Sequence, residues 1–391
     1  MSNLPNHALV FGASGVAGWG LVDEMLRNYP KEGTFSRATA VVNRPLNFED
    51  THWPAPHSSR PQLELISGVN LLNGTVEEFA ASLKDKIKDI SSVTHAYYFA
   101  YKQDNDQARE VAINVGMLSR VTGAVNILCP TLKFFVFPSG TKGYGIQLPA
   151  SQRPFQAPFT EDMRLPPSLS SENWYALFQE HLTTASANRS WTWCEVRPDA
   201  IIGFVPNGST FNLAAHWATY LSAYLLLEGK GAKLPYPGST AGFEAKFNDA
   251  SASIVGRLSI YASLHPETCG GGRLFNIADQ ERPSSMAERW PLICEHFGLV
   301  GVPSVDEGRG ALLPGEYLQA NKDVLEKKGF KGVDVWKGDF LDTYGFYCNF
   351  DRQLSLAKIR EIGFLEERDP HRSWVESFER FKTAGMIPGT K

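Results

Sequence analysis

The feature that most constrains the fold of this chain is a glycine-rich turn close to its start. An apolar run at residues 8–11 predicts a buried strand, Gly12-Ala-Ser-Gly-Val-Ala-Gly18 follows directly, and a helical pattern continues to about residue 28. Glycines let the backbone turn sharply and approach a pyrophosphate, whose charge the amides at a helix N-terminus would meet. The alternative is a turn that holds no ligand, but the strand–turn–helix context favours a dinucleotide site. We therefore expect the cofactor to contact Gly12, Ser14, Gly15, Val16 and Gly18.

Strand and helix patterns alternate through the first half of the chain. Further strands are predicted at residues 38–42, 62–66, 93–100, 132–137 and 192–197, and helices at about 16–28, 75–87, 106–121 and 172–188. Thr75 is the expected N-cap of its helix, with Glu77 and Glu78 in the first turn. The alternation predicts right-handed βαβ units, and hence an α/β fold with a doubly wound, Rossmann-type parallel sheet.

From about residue 201 the pattern becomes mainly helical. Helices are predicted near residues 210–227, 250–263, 284–297 and 314–328, and Leu274–Ile277 is a candidate strand. We expect a dinucleotide-binding domain over residues 1–200 and a smaller, mainly helical substrate-binding lobe over residues 201–391, interleaved with the last strands of the sheet. Ligands of open parallel sheets bind outside the carboxyl ends of the strands, so the site is expected between the two halves.

Composition excludes several classes of protein. The 38 Lys+Arg and 42 Asp+Glu give a net charge of −4, which argues against a general nucleic-acid binder. Five scattered cysteines without a CxxC pair predict neither a disulfide framework nor a zinc site, and no other metal-binding pattern is present. The short polar N-terminus lacks the features of a signal peptide, so we expect a cytoplasmic protein.

One apolar stretch, residues 211–227, has almost the length of a membrane span. It carries His216 and ends at the charged Glu228 and Lys230. A buried helix is therefore expected here, and no integral membrane segment.

The residues after the second strand bear on the choice of cofactor. Enzymes that use NAD usually place an Asp or Glu there to bind the ribose 2′-hydroxyl, whereas this chain has Asn43 and Arg44. A guanidinium at this position suits a 2′-phosphate and favours NADP(H). The alternative is an exposed arginine at a strand end with no ligand.

A tyrosine and a lysine are the expected catalytic pair. Short-chain dehydrogenases, which this strand and helix pattern resembles, carry Tyr-x-x-x-Lys on a helix, where the ammonium lowers the phenol pKa. The candidate helix here has Tyr175-Ala-Leu-Phe-Gln179, with glutamine in place of lysine. Either the chain is catalytically inactive or the lysine comes from elsewhere, and Lys142, just after the fifth strand, is the candidate.

These motifs identify a resemblance that runs nearly end to end. The chain resembles the progesterone 5β-reductase/iridoid synthase-like family of atypical extended short-chain dehydrogenases. The segments that carry the resemblance are residues 8–18, Ser139–Gly145, Asn173–Tyr175, Arg197–Phe204, Phe275–Asp279 and Leu354–Phe364. The resemblance implies an NADPH-dependent reductase with Lys142 and Tyr175 as a catalytic pair that also contacts the cofactor. It further implies Asn70 and Leu71 near the adenine and Tyr101 in the substrate pocket.

The chain departs from the family pattern at three positions. It has only Arg44 where two adjacent basic residues are usual, Asn70 where an Asp helps to hold the adenine, and Gly143 where plant enzymes have an aromatic or basic residue. The cofactor class survives these changes, but steroid specificity does not follow from the resemblance.

The expected substrate pocket is largely apolar. Its predicted residues are Tyr101, Ser139, Tyr144, Phe204 and Phe211. Ser139 has two interpretations, as a hydrogen-bond donor to the substrate or as part of a turn before Gly140. Further aromatic residues of the second half are expected to contribute to the pocket: Trp217, Tyr220, Tyr224, Trp336, Tyr344 and Phe346.

The expected activity is the NADPH-dependent 1,4-reduction of an α,β-unsaturated ketone or aldehyde. The substrate would be a hydrophobic small molecule of secondary metabolism, and the enzyme a possible homodimer. A ketone reductase or reductive cyclase of the same fold is the second hypothesis. A regulatory protein that senses NADP without doing chemistry is the third, and the Lys142 and Tyr175 pair argues against it.

Overall fold

A seven-stranded parallel sheet forms the centre of the molecule. The computed structural model describes residues 5–170, 173–206, 211–305, 313–332 and 339–388. The strands are β1 (His7–Phe11), β2 (Arg37–Val41), β3 (Gln62–Ile66), β4 (His95–Tyr98), β5 (Phe134–Pro138), β6 (Thr192–Pro198), β7 (Ile201–Ile202), β8 (Lys233–Pro235), β9 (Ala250–Ser251), β10 (Arg273–Ile277) and β11 (Val300–Val302). The main sheet has the order β10-β6-β5-β4-β1-β2-β3, and its neighbouring strands are all parallel. The predicted α/β fold with a Rossmann-type sheet is therefore confirmed.

Helices flank the sheet and build most of the second half. Those in the described residues are α1 (Val16–Leu26), α2 (Phe48–Thr51), α3 (Val76–Lys86), α4 (Gln107–Leu128), α5 (Pro167–Ser170), α6 (Trp174–Ser186), α7 (Leu213–Glu228), α8 (Thr240–Glu244), α9 (Ala252–Leu264), α10 (Pro266–Cys269), α11 (Met286–His296), α12 (Pro314–Ala320), α13 (Lys322–Lys327), α14 (Asp339–Asp342), α15 (Tyr344–Tyr347), α16 (Ala357–Glu361) and α17 (Pro370–Thr383). Short 3-10 helices occupy Ile90–Ser92, Thr141–Tyr144 and Ala150–Gln152.

Side chains of the central strands alternate between two hydrophobic cores, one on each face of the sheet. In β1, Ala8 and Val10 point into the core formed with α1, α7, α9 and α17. Leu9 and Phe11 point into the core formed with α3, α4 and α6. All five residues of β1 are buried, as expected for a strand covered by helices on both faces.

Most helix boundaries lie within a few residues of those predicted, and two differ more. α4 continues to Leu128, because Val121, Ala124 and Val125 stay buried in the core. The single helix predicted over residues 314–328 is two helices, α12 and α13, which meet at Asn321. The expected N-cap of α3 is confirmed: Thr75 and Glu78 form a reciprocal capping box.

The apolar stretch that ends near residue 227 is a buried helix, as predicted. α7 is buried from Leu213 to Ala223, with its N-cap Asn212 accepting a hydrogen bond from the Ala215 amide. In the described residues, α4 is the one helix whose length and apolar composition would suffice to cross a membrane. α4 carries Arg109, Glu110 and Arg120 and packs against α3 and α6, as a helix covering a sheet does.

α1 is enclosed between the sheet and the C-terminal half of the chain. All of its residues after Val16 are buried. α9 packs so closely against it that a Cβ on Gly20 would lie 2.7 Å from the Cβ of Ala252. On another side, the Arg380 guanidinium of α17 binds Asp23 at 2.9 Å and lies 4.7 Å from the Trp19 ring centroid. The helix that follows the glycine turn is thus held by residues from the far end of the chain.

This packing predicts opposite effects for the same substitution in two helices. Gly20→Ala should lower the free energy of unfolding by about 1–3 kcal/mol, because the added methyl overlaps Ala252. Gly116→Ala in α4 should raise it by about 0.8 kcal/mol, because alanine is the better helix former. A methyl at Gly116 meets nothing closer than the flexible end of Arg120, at 3.3 Å. Urea unfolding measures both, and an equal gain in the two variants would contradict the close packing of α1 on α9.

Candidate functional site

The glycine turn after β1 is fixed against the ends of two neighbouring strands. The amides of Gly12 and Ala13 both donate to the Val41 carbonyl of β2, at 3.1 and 3.3 Å. Gly12 has a φ of +76°, and a Cβ there would lie 2.6 Å from the backbone of Phe99, just after β4. A Cβ on Gly18 would lie 2.3 Å from the Gly12 carbonyl oxygen. Only glycine fits at both positions, so the sequence itself fixes the close packing of turn and helix.

The N-terminus of α1 is left open by this turn. Its N-cap, Gly15, has no side chain, and no acidic residue lies in the first turn. Ser14, Gly15 and Val16 are partly exposed. The amides at this end of an eleven-residue helix are therefore available to an anion, which fits the pyrophosphate of a dinucleotide.

The predicted adenosine-binding residues lie together at the carboxyl ends of β2 and β3. Asn43 and Arg44 are exposed, and the Asn43 carbonyl accepts a hydrogen bond from the Gly68 amide at 3.1 Å. Asn70 is also exposed, and its Oδ1 accepts from the Leu72 amide at 2.8 Å. Leu71 is buried beside it. This edge of the sheet carries a guanidinium and side-chain amides where a nucleotide ribose would approach.

Asn173 connects the two predicted catalytic residues. It is the N-cap of α6, and its Oδ1 accepts from the Tyr175 amide at 3.0 Å. Its Nδ2 donates to the Lys142 carbonyl at 3.0 Å. One side chain therefore fixes the start of the tyrosine helix to the 3-10 turn that carries the lysine. Sequence reasoning did not assign Asn173 a role, although an Asn two residues before the tyrosine is the signal of a helix cap.

Burial shifts the pKa values of both members of the pair, in opposite directions. Burial raises the pKa of the Tyr175 phenol, and the Arg197 guanidinium opposes that shift. Burial lowers the pKa of the Lys142 ammonium, and the Glu110 carboxylate opposes that shift. The ammonium lies 5.5 Å from the ring centroid of Trp174. Perturbed titratable groups in one crevice are typical of a functional site.

The glutamine that replaces the usual lysine faces into the protein. Gln179 donates from Nε2 to the carboxylate of Glu195, a residue of β6 with no exposed surface. Ser139 donates to the same carboxylate and accepts from Arg197 Nε at 3.1 Å. The Ser139 hydroxyl is therefore hydrogen-bonded to two residues of β6.

Three aromatic side chains form one wall beside Lys142 and Tyr175, and we call Tyr101, Trp174 and Phe211 the aromatic wall. The Tyr101 ring stacks on Trp174 at 5.5 Å and meets Phe211 edge-on at 5.7 Å. Trp174 in turn lies 4.9 Å from the Tyr175 ring. Tyr101 is 39% exposed, and its hydroxyl donates to Glu110. Two of the predicted pocket residues are thus brought together, and Trp174 is an addition that sequence reasoning missed.

The other predicted pocket residues lie in the interior and not at this wall. Tyr144 is stacked on Phe159 at 5.0 Å, and its hydroxyl donates to Asn276 at 2.6 Å. Phe204 packs against Trp19 and lines a separate cavity of about 240 Å³ between α1, β7, α9 and α17. Both side chains are buried between the sheet and the second half of the chain, where they contribute to the hydrophobic core.

Three of the other aromatic residues predicted for the pocket are buried as well. Trp217, Tyr220 and Tyr344 are buried in the core, Tyr224 contacts Tyr317, and Phe346 is exposed. Trp336 lies outside the described residues. Among the residues that the structure describes, no group of three or more His, Cys, Asp or Glu could hold a metal ion.

A parallel sheet with an open helix N-terminus, and with a half-buried tyrosine and a lysine at its carboxyl edge, defines the extended short-chain dehydrogenase class. The GDP-mannoheptose C4 reductase of Campylobacter jejuni, solved with NADP bound, has this fold at a TM-score of 0.60, with 11% identity over 98% of this chain and all of that chain. The Thermus thermophilus UDP-glucose 4-epimerase, solved with NAD, matches at 0.60, with 13% identity over 96% of this chain and 99% of that one.

The chain belongs to the PRISE-like family of Rossmann-fold proteins, whose model matches residues 8–388. It is 32% identical to the short chain dehydrogenase ausT of Aspergillus calidoustus, covering 97% of this chain and 94% of that protein. It is 25% identical to the 3-oxo-Delta(4,5)-steroid 5-beta-reductase of Arabidopsis thaliana, covering 97% and 93%. The (S)-8-oxocitronellyl enol synthase of Catharanthus roseus is 23% identical, covering 97% and 92%. The predicted resemblance is confirmed, and the chain is an oxidoreductase of the extended short-chain dehydrogenase type.

The double role of Asn173 predicts that losing it affects more than helix stability. Asn173→Ala should lower the free energy of unfolding by about 1 kcal/mol through loss of the cap. It should also reduce the rate of turnover with a nicotinamide cofactor, because the Lys142 turn is no longer fixed to α6. Asp369→Ala is the matched control, since Asp369 caps a different helix, α17, in the same way, by accepting from the His371 amide at 3.0 Å. Urea unfolding and steady-state kinetics measure the two effects, and equal activity in both variants would contradict the role of Asn173.

Proposed function

We propose that this protein is an NADPH-dependent reductase that reduces the carbon–carbon double bond of an α,β-unsaturated ketone or aldehyde. The observation that carries the proposal is that Asn173 links the start of the Tyr175 helix to the Lys142 turn, and that Trp174 of the aromatic wall contacts both side chains. The name of the plant relative, a steroid 5-beta-reductase, is consistent with an enone substrate. The substrate proposed here is a hydrophobic small molecule of secondary metabolism, in keeping with the terpenoid skeleton in the name of the 8-oxocitronellyl enol synthase.

The residues around the glycine turn fit the cofactor. Gly12 and Gly18 let the turn pack closely against backbone atoms where a Cβ would overlap, and Gly15 at the N-cap adds no side chain. The backbone amides at the open end of α1 would therefore bind the pyrophosphate. Arg44 would bind the 2′-phosphate, with Asn43 beside it and Asn70 and Leu71 near the adenine. When bound, the reduced nicotinamide supplies a hydride to the β-carbon of the substrate.

The proton or hydrogen bond for the reaction comes from the protein. Tyr175 would donate to the carbonyl oxygen of the substrate as that oxygen takes on the negative charge of an enolate. Lys142 would hold the nicotinamide ribose and keep a positive charge in the crevice. The aromatic wall would position the flat conjugated system of the substrate by stacking.

Cofactor preference provides the first test of this proposal. Because Arg44 has no acidic neighbour in the Asn43–Pro45 segment, the protein should bind NADPH more tightly than NADH. Arg44→Ala should weaken NADPH binding by at least about 1.5 kcal/mol, because it removes a charge-assisted bond to the phosphate. NADH binding should stay nearly constant and is the internal control. Fluorescence titration measures both affinities, and equal binding of the two cofactors by the unaltered protein would contradict the assignment.

Removal of the Tyr175 hydroxyl provides the second test. Tyr175→Phe should lower kcat by roughly 100-fold or more, because one preorganised donor to the developing enolate is lost. NADPH affinity should be nearly unchanged. Lys142→Ala should damage both kcat and NADPH affinity, because the ammonium is expected at the ribose. Kinetics over a panel of small enones, enals and bulky ketones, with product analysis by mass spectrometry, measures the change.

The size of the Tyr175→Phe effect also separates two reactions. An alkoxide is a stronger base than an enolate, so a ketone reductase would need the proton in the same step and would lose more activity. A reactive enal should still be reduced slowly by Tyr175→Phe. Full activity of Tyr175→Phe on the true substrate would refute the proposed role of the tyrosine. Absence of NADPH oxidation with every compound of the panel would instead favour a nucleotide-sensing protein.

A further inference from the structure

The helix that carries Tyr175 is anchored to the sheet through the position where the lysine is missing. Tyr175 and Gln179 are four residues apart in α6 and so lie on one helical face. Gln179 donates from Nε2 to the Glu195 carboxylate in the middle of β6. The residue that would contact the cofactor ribose in other short-chain dehydrogenases here fixes the tyrosine helix to a buried acid.

The Glu195 carboxylate joins three structural elements. Its other oxygen accepts from Ser139, at the start of the turn that carries Lys142. The same oxygen accepts from Arg197 Nε at 3.0 Å and Nη2 at 2.6 Å. Glu195 has no exposed surface and Arg197 is 3% exposed, so the two opposite charges compensate each other inside the protein.

The Arg197 guanidinium and the Tyr175 hydroxyl both lie against the turn that carries Lys142. A Cβ on Gly143 would lie 2.5 Å from the guanidinium carbon. A Cβ on Gly140 would lie 3.3 Å from the Tyr175 hydroxyl oxygen. It would also lie 3.8 Å from the carbonyl oxygen of Pro198, which follows Arg197 in the sequence. The Gly143 amide donates to the Gly140 carbonyl at 2.8 Å, which places the two glycines one 3-10 turn, about 6 Å, apart.

Of the two nearby cations, the Arg197 guanidinium interacts electrostatically with the Tyr175 phenol, whereas the Lys142 ammonium interacts with Trp174 and Glu110. The Arg197 guanidinium lowers the pKa of the Tyr175 phenol against the effect of burial, while Glu195 and Glu110 raise it. Lys142 lies over the Trp174 ring and interacts with Glu110. In the low-dielectric interior a nearby cation favours a phenol that gives up its proton.

We propose that Arg197, fixed by Glu195, is the positioning residue that supplies positive charge to the Tyr175 hydroxyl. It takes the role that a lysine four residues after the tyrosine has in other short-chain dehydrogenases. The inference rests on the proposed function, because it assigns a partner to the proton donor of that reaction. It also accounts for two departures of the sequence. A lysine at position 179 would compete with Arg197 for Glu195, and any side chain at Gly143 would displace the guanidinium.

The test compares a variant that loses only the negative charge of Glu195 with a variant that loses the charges of both Glu195 and Arg197. Glu195→Gln leaves Arg197 charged, whereas Glu195→Gln with Arg197→Met removes both charges and keeps an amide that Ser139 and Gln179 can bond. Both are made in the native protein and in Tyr175→Phe. The readouts are the single-turnover rate of NADPH oxidation with a saturating enone, NADPH affinity by fluorescence, and the melting temperature.

If Arg197 supplies the charge, the less stable of the two variants should be the more active one. Glu195→Gln alone should melt at the lower temperature of the two, because it leaves a buried charge uncompensated. The double variant should nevertheless react more slowly, by about 10-fold relative to Glu195→Gln, since it has lost the cation beside the donor. In the Tyr175→Phe protein, the same two variants should react at rates within about 2-fold of each other, because the Tyr175 hydroxyl through which Arg197 acts is absent. NADPH affinity should not change.

Other outcomes overturn the inference in distinguishable ways. If the charge removals slow the reaction equally with and without the Tyr175 hydroxyl, the ion pair is a structural element only. If Glu195→Gln reacts more slowly than the double variant, stability and not charge controls the rate. If Glu195→Gln does not fold, the comparison between the double variant in the native and Tyr175→Phe proteins still decides. Full activity of Tyr175→Phe alone would instead refute the proposed function on which the inference rests.

Discussion

The carboxyl edge of the sheet is organised around one buried acid. A carboxylate without access to water must be compensated within the protein, and Glu195 meets this requirement by accepting hydrogen bonds from Ser139, Gln179 and Arg197. These three donors come from the turn after β5, from α6 and from β6 itself. The need to satisfy a single charged group therefore fixes the relative positions of the elements that carry Lys142 and Tyr175.

The sequence predicted the scaffold well because the scaffold is specified locally. The glycine turn, the alternating strands and helices, and the Thr75 cap each depend on residues a few positions apart. Gly12 and Gly18 are required by direct backbone contacts within one turn, so their signal is strong. The family resemblance added Lys142, Tyr175 and Tyr101, whose positions the motifs fix even though they are far apart in the sequence.

The parts that sequence reasoning missed depend on contacts between distant segments. Nothing near Ser139 indicates that its hydroxyl will meet Glu195, 56 residues later. Tyr144 and Phe204 have the composition of pocket residues, but core packing buries them, and an aromatic side chain gives no local sign of which surface it will face. Trp174 was overlooked beside the more conspicuous Tyr175. In the sequence, Gln179 is noticeable only because it stands where other short-chain dehydrogenases have a lysine. Its hydrogen bond to Glu195 is seen only in the structure.

The enclosure of α1 has a consequence for how the protein is made. The glycine turn and α1 are synthesised before the two helices that cover α1. These helices are α9, at residues 252–264, and α17, at residues 370–383. Until α17 has been synthesised, Trp19 and Asp23 lack the Arg380 side chain that packs on one and binds the other. The N-terminal half of a nascent chain therefore keeps part of a hydrophobic helix exposed to solvent and to chaperones. The packing around the helix that follows the glycine turn is thus complete only after α17 has been synthesised.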